Sequence, residues 1–149
     1  MIFKHHLISR IILRSIHFLE DFAAPIILLI IRLWMARIFW YSGLVKISDW
    51  QSTLALFQYE YKVPLINPEL AAYLAALTEL TCPILLTLGI ATRFATIPML
   101  IMTIVIQFTY LDSSEHFYWA MLLATILCFG PGKISLDYWV RKRIAMPAK

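Results

Sequence analysis

The segment AAPIILLIIRLWMARIFWYSG, residues 23–43, is apolar along nearly its whole length. At a helical rise of about 1.5 Å per residue, it is long enough to cross the roughly 30 Å hydrocarbon core of a bilayer. It nevertheless carries Arg32 near its middle and Arg37 further on. An arginine at that depth costs about 2.5 kcal/mol or more, so it is expected to face a bundle interior and to find a polar partner there. The segment therefore predicts a membrane bundle built around buried charge.

The composition of the whole chain agrees with a membrane location. Hydrophobic residues make up 61% of the 149 residues and charged residues 15%, with a mean hydropathy of +0.76. A soluble domain of this length has too little interior to bury so many apolar side chains, so we expect one domain in contact with a lipid bilayer. The net charge of +4 comes from basic residues that flank apolar segments. No aromatic-interleaved basic patch is present in the sequence, so nucleic acid is not an expected partner.

The two cysteines, Cys82 and Cys128, lie inside apolar runs and not in a CxxC pair. This spacing favours two free thiols packed at membrane depth over a disulfide or a zinc site. A metal site is not expected elsewhere. Asp112, Glu115 and His116 share a short polar stretch, which is more typical of a solvated loop than of a cation site.

The hydrophobic pattern predicts an all-α protein, a bundle of four transmembrane helices with amphipathic interfacial segments at the N-terminus, between helices 1 and 2, and at the C-terminus. Residues 1–22 are the expected amphipathic N-terminal segment, residues 23–140 the single four-helix membrane domain, and residues 141–149 a basic cytoplasmic tail. The four crossings are expected at residues 23–43, 70–89, 94–111 and 116–130.

Two short motifs mark the connection between the first two crossings. Ser42-Gly43 is expected to break the first helix, which would leave Lys46 at the membrane interface and residues 51–62 on the surface. Asn67-Pro68 predicts the start of the next helix, with asparagine as the N-cap. Proline is favourable at the first helical position because its missing N–H does no harm there.

The distribution of basic residues predicts the orientation. With four crossings, one side of the membrane holds most of the lysines and arginines, whereas the other side holds only Lys46 and Lys62. By the positive-inside rule, we expect a multi-pass protein of the bacterial inner membrane with both termini in the cytoplasm.

The candidate site combines Arg32 and Arg37 with the acid expected at matching depth, Glu79. Arg32 and Glu79 lie near the middle of their spans, so a buried salt bridge between them is expected. Arg37 lies about 7 Å further outward, where Gln107 and Tyr110 of the third crossing offer hydrogen bonds. In one interpretation the pair only fixes the helix register. In the other, the surplus arginine charge binds a quinone head group, a lipid head group or a small acid.

Three motifs carry a resemblance to a known family. They are ELTCPILLTLGIATR at 79–93, the arginine-bearing first helix ending in SGLVK at 42–46, and GPGKISLD at 130–137. Together they resemble the DoxX family of small four-helix membrane proteins, over about residues 30–140. The stretch FQYEYKVPLINPEL at 57–70 further resembles a subgroup associated with the maturation of copper-binding, ribosomally made peptides (RiPPs).

The resemblance implies redox or metal-stress physiology without naming a reaction. Some DoxX relatives resemble membrane subunits of quinone-linked oxidoreductases, and others assemble with soluble redox enzymes. We therefore expect a membrane partner or subunit of a redox or copper-binding-peptide maturation system, and an accessory role more than a stand-alone enzyme. A quinone is the candidate cofactor, near Arg37, Gln107 and Tyr110, and no catalytic residue is identified.

Other classes stay open at this point. A small membrane transporter or exporter is one alternative, and a non-catalytic membrane anchor for a soluble enzyme is another. Partners beyond the lipid bilayer would be a soluble redox or peptide-maturation protein, or a second copy of the chain, because short bundles often need neighbours to cover polar surface.

Overall fold

The structure, a computed structural model, describes residues 2–61, 63, 65–109 and 113–145, and of residues 2–9 only the backbone. These ranges contain helices and turns but no strand, which confirms the all-α prediction. The helices are α1 (Ile2–Phe18), α2 (Ala24–Ser48), α3 (Trp50–Ala55), α4 (Pro68–Leu88), α5 (Thr92–Thr109), α6 (Ser114–Phe129) and α7 (Leu136–Ile144).

The N-terminal segment is helical and continues into the first crossing without a break. A π-helical turn, Leu19–Ala23, joins α1 to α2, and the N–H of Ala24 donates to the carbonyl of Leu19 across it. The turn is also tied to the far end of the chain, because Lys133 Nζ lies 2.6 Å from Asp21 Oδ1. That residues 1–22 lie flat on a membrane stays a prediction.

Helix α2 runs straight through Ser42-Gly43 and ends at Ser48, so the expected break at the glycine is wrong. The glycine serves helix packing instead. A Cβ at Gly43 would lie 2.9 Å from Leu80 Cδ2 and 3.0 Å from Glu79 Cβ, both on α4. The absence of a side chain therefore lets the two helices approach each other closely at this level.

The segment after α2 folds back onto α4. Asp49 caps α3 by accepting a 3.0 Å hydrogen bond from the N–H of Ser52. A second π-helical turn, Leu56–Tyr61, follows, and its Phe57 is buried. Phe57 belongs to a cluster with small side chains on α4, namely Ala71, Ala72 and Ala75.

Helix α4 begins and ends as predicted. Asn67 is its N-cap, with Oδ1 accepting a 2.8 Å bond from the N–H of Glu69, and Pro68 is its first residue. Gly89 ends the helix in the left-handed conformation, at φ +71°. That conformation strains residues with a Cβ, so glycine is favoured there.

Four helices pack in a ring, since α2 contacts α4 and α6, and α5 contacts the same two helices. The side chains between them form an apolar core: Met35, Ala36, Phe39, Cys82, Leu86, Ala95, Met99, Leu123 and Ile126. The outer faces carry exposed large hydrophobic side chains, as expected of a protein in contact with lipid.

Three helical segments are long and apolar enough to cross a membrane: 10–48, 68–88 and 92–109. This identifies a membrane protein. Helix α6 has 16 residues, or about 24 Å, and is shorter than a typical span. The fourth crossing and the orientation of both termini therefore stay predictions.

Candidate functional site

A buried ion pair lies between α2 and α4. Lys46 Nζ lies 2.7 Å from Glu79 Oε1, with 12% and 3% of the two side chains exposed. Ser42 completes the group, since its hydroxyl donates to Glu79 Oε1 at 3.0 Å and accepts from Lys46 Nζ at 3.0 Å. The charged groups thus hydrogen-bond each other where water is largely excluded, which is the condition for a tolerable buried pair.

The local sequence of α2 explains this arrangement. Ser42 and Lys46 are separated by one helical turn, so both side chains lie on the face that meets α4. The hydroxyl of Thr53 donates to the carbonyl of Lys46 at 2.9 Å and so attaches α3 to the end of α2. Lys46 is therefore largely buried between the helices. Its expected position at the membrane interface stays a prediction.

The expected salt bridge between Arg32 and Glu79 is also wrong. Gly43 is level with Glu79 in the antiparallel α2–α4 pair, and Arg32 lies eleven residues before Gly43, about 16 Å further along the axis. Arg32 is accordingly level with Gly89, at the other end of α4. The midpoints of the two hydrophobic segments do not lie at the same level, because the contact of Gly43 with α4 sets the register of the two helices.

Arg32 instead contacts residues at one end of the bundle. We call this end, which consists of residues 89–93 and 130–137, the basic end. Only 1% of Arg32 is exposed, and Nη2 donates to the carbonyl of Ile134. Nε and Nη1 have no hydrogen-bond partner among the described residues. Gly89 is required beside it, because a Cβ there would collide with Nη1.

Asp137 links the two sequence motifs that meet at the basic end. Its carboxylate accepts hydrogen bonds from the N–H groups of Ala91 (2.8 Å) and Thr92 (2.9 Å), where α5 begins, and its own N–H donates to the carbonyl of Gly89 at 2.8 Å. Partial burial alone would raise the pKa of Asp137, but these backbone bonds and the charge of Arg141 outweigh it. The pKa of Asp137 is therefore lowered.

Arg37 lies apart from the other predicted site residues. It is exposed on the outer face of α2, with its guanidinium 5.8 Å from the centre of the Tyr41 ring. It lines a groove between α2 and α4 that includes Pro83 and Thr87. Arg37 therefore does not share a site with Gln107, which contacts α6.

Gln107 and Thr103 lie on the buried face of α5. Gln107 Oε1 is 3.1 Å from Nδ1 of the buried His116, near the start of α6. Tyr110, the other residue of the third crossing that was expected to offer a hydrogen bond to Arg37, lies outside the described residues. The structure thus gives Gln107 a histidine neighbour that the sequence pattern did not connect with it.

Three cavities adjoin the ion pair and Ser42. One has a volume of about 300 Å³, and Lys46 lines it among apolar residues that include Phe57, Ala71, Ala75, Met102 and Val105. Another, of about 320 Å³, is lined by Ser42 and Lys46 together with residues of α3 and the second π-helical turn. The smallest has a volume of about 50 Å³, and its lining includes Ser42, Glu79, Thr103 and His116. Ionic groups beside an apolar cavity can orient a lipophilic ligand that carries a polar head.

Sequence reasoning missed Lys46, Ser42 and His116. The signal for the first two was the i, i+4 spacing of Ser42 and Lys46, which is informative only if the helix continues past Gly43. No comparable signal was available for His116, because its neighbours come from another helix. Within the described part of the chain, no group of three or more His, Cys, Asp or Glu side chains is placed to hold a metal ion.

The fold and the site define a small helical membrane protein with a buried lysine–glutamate pair between its helices. The DoxX family model matches residues 27–111, more than half of the 149 residues. The chain belongs to the DoxX family. No curated protein and no solved structure matches it.

Proposed function

We propose that this DoxX protein binds a quinone-like lipophile in the 300 Å³ cavity and serves as the membrane partner or subunit of a redox or copper-binding-peptide maturation system. The observation that carries the proposal is the position of Lys46. Its ammonium group is paired with Glu79, and Lys46 also lines an apolar cavity.

One N–H donor of the Lys46 ammonium group makes no hydrogen bond to the described residues. A lysine offers three N–H donors, and two of them go to Glu79 Oε1 and Ser42 Oγ. The remaining donor suits a carbonyl oxygen such as that of a quinone. The apolar side chains around it suit a ring and an isoprenoid tail, and about 300 Å³ is within the range of small-molecule sites.

This location differs from the one expected from sequence. The quinone was expected near Arg37, Gln107 and Tyr110, but Arg37 lies on the outer face of α2. The proposed ligand site therefore uses Lys46 as the donor. It gives the protein a binding role, with electrons supplied or removed by a partner enzyme.

Native mass spectrometry of the protein, gently extracted from its own membrane, tests the proposal together with quinone extraction and elemental analysis for copper. We expect a stoichiometric quinone in the wild type, lost in Lys46→Met. Arg37→Leu is the matched control, because it removes a positive charge from the same helix outside the cavity, and it should retain the quinone.

A wild-type protein without quinone, or a Lys46→Met variant that keeps it, would contradict the quinone site. Copper without quinone would instead favour a metal-handling role in peptide maturation.

A second candidate is a membrane anchor that recruits a soluble enzyme. The observation in its favour is α7, which is exposed and carries Arg141, Lys142 and Arg143 in its last turn. Neutralising these three residues should abolish recruitment of an acidic partner under this interpretation, whereas the double variant Lys46→Met/Glu79→Leu, which removes both charges of the buried pair, should leave it intact. Co-purification from membranes carrying each variant distinguishes the two functions.

A further inference from the structure

The smallest cavity separates two titratable side chains that belong to different helices. Glu79 of α4 and His116 of α6 both line it, and its volume of about 50 Å³ exceeds the roughly 10–15 Å³ that one water needs. A buried water also needs two to four polar partners. The lining supplies them, because it includes the oxygens of Ser42 and Thr103 beside the two titratable groups.

Glu79 presents one oxygen that its ion pair does not use. Oε1 takes both hydrogen bonds, from Lys46 and Ser42. Oε2 is buried and has no hydrogen-bond partner among the residues that the structure describes. A buried carboxylate oxygen without a hydrogen bond is unfavourable, so water in the cavity that Glu79 lines is the expected partner of Oε2.

His116 is held in place at the other side of the cavity. It is 7% exposed, its Nδ1 lies 3.1 Å from Gln107 Oε1, and its ring packs edge-on against Trp119. An amide oxygen accepts a hydrogen bond, so Nδ1 is the ring nitrogen that donates to Gln107.

The charged and titratable groups facing Glu79 are few in the described ranges. Helix α2 contributes Lys46 and α6 contributes His116, whereas α5 contributes Thr103 and Gln107, which do not titrate. Among the described residues that line this cavity, His116 is the titratable side chain other than Glu79.

We propose that His116, water in the small cavity and Glu79 form a proton-transfer route. In the direction from His116 to Glu79, the imidazolium of His116 gives a proton to the water, and the water gives a proton to Glu79 Oε2. The products are neutral imidazole, neutral carboxyl and unchanged water, with Lys46 still charged. The route stands without a ligand. Its use in supplying or removing the proton of a quinone-like ligand rests on the proposed function.

Time-resolved infrared spectroscopy after a pH jump tests the route in the protein reconstituted in lipid nanodiscs. Glu79→Gln assigns the carboxyl and carboxylate bands of Glu79. We expect His116→Asn, which can keep the donor to Gln107 but cannot carry a proton, to slow Glu79 protonation by about 10-fold or more. Ile38→Val is the control, because Ile38 lines the same cavity without titrating.

Equal protonation rates in His116→Asn and the wild type would overturn the route. His116→Gln gives a second test if the first variant does not fold, as judged by circular dichroism. Quinone content is measured in the same samples. If Glu79 protonation is slowed in His116→Asn but the wild type contains no quinone, the route is supported and the proposed function is contradicted. If Glu79 protonation is not slowed but the wild type contains quinone, the route is contradicted and the proposed function is supported.

Discussion

Lys46 Nζ and Glu79 Oε1 lie 2.7 Å apart between α2 and α4. The pair occurs where Gly43 lets the two helices approach, so close backbone packing and buried charge are found at the same level of the bundle. This relationship makes the pair both a determinant of helix register and the polar wall of a cavity.

Removing one partner of the pair is expected to destabilise the protein strongly. Lys46→Met or Glu79→Leu leaves an uncompensated buried charge, which costs about 3–5 kcal/mol. The double variant Lys46→Met/Glu79→Leu removes both charges and should recover most of that loss. The measurement is the free energy of unfolding in mixed micelles titrated with sodium dodecyl sulfate. A double variant as unstable as the sum of the single ones would contradict the pairing.

Gly43→Ala is expected to cost about 1–3 kcal/mol, because the added Cβ would meet Leu80 Cδ2 at 2.9 Å and Glu79 Cβ at 3.0 Å. The flexible end of Leu80 can move, so Leu80→Ala should relieve part of the cost. Unfolding free energies of the two single variants and the double variant give the coupling. Additive effects would show that Gly43 and Leu80 do not meet.

Arg32→Met is expected to loosen the basic end without loosening the rest of the bundle. The variant loses the hydrogen bond to the carbonyl of Ile134, and bonds of this charged type contribute about 1.5–3 kcal/mol. Hydrogen exchange should therefore quicken at the amides of Thr92 and Asp137. The amide of Ser52, capped by Asp49, is the internal control. Equal acceleration at Ser52 would contradict a local role.

Asp137→Asn is expected to reduce the loss of folding stability that occurs as the pH falls. Because the pKa of folded Asp137 is lowered, its stabilisation is complete above the usual aspartate value of about 3.9 and is lost as the pH falls through the folded-state pKa. Wild type and variant should thus differ most near neutral pH and converge in acid. Thermal unfolding between neutral and acidic pH measures this, with the exposed Glu69→Gln as control. A difference that is constant with pH would contradict the carboxylate's role.

The membrane orientation has a direct test. In a variant with Cys82 and Cys128 replaced by alanine, single cysteines at Gln51 and Ser114 should react with a membrane-impermeant maleimide added to spheroplasts. A cysteine at Arg141 should react only after permeabilisation. If the cysteines introduced at Ser114 and at Arg141 are labelled from the same side, α6 does not cross the membrane.

The sequence by itself determined the helical class, the membrane character and most helix boundaries. Length, hydropathy and short capping signals are local properties, so Asn67-Pro68 and Gly89 mark the ends of α4 without knowledge of any neighbour. The family was also recognisable, because its motifs are contiguous stretches of chain.

The pairing of the buried charges was decided only by the tertiary structure. Which residue of α2 faces Glu79 depends on how far the two helices slide past each other, and hydrophobic runs of similar length fit a bilayer in many registers. Gly43 selects one of them through a contact with α4, and that register places Lys46 beside Glu79 and Arg32 at the basic end. A shift of eleven residues changes no hydropathy value but changes every polar partner, because hydropathy is additive along the chain whereas a hydrogen bond requires atoms about 3 Å apart.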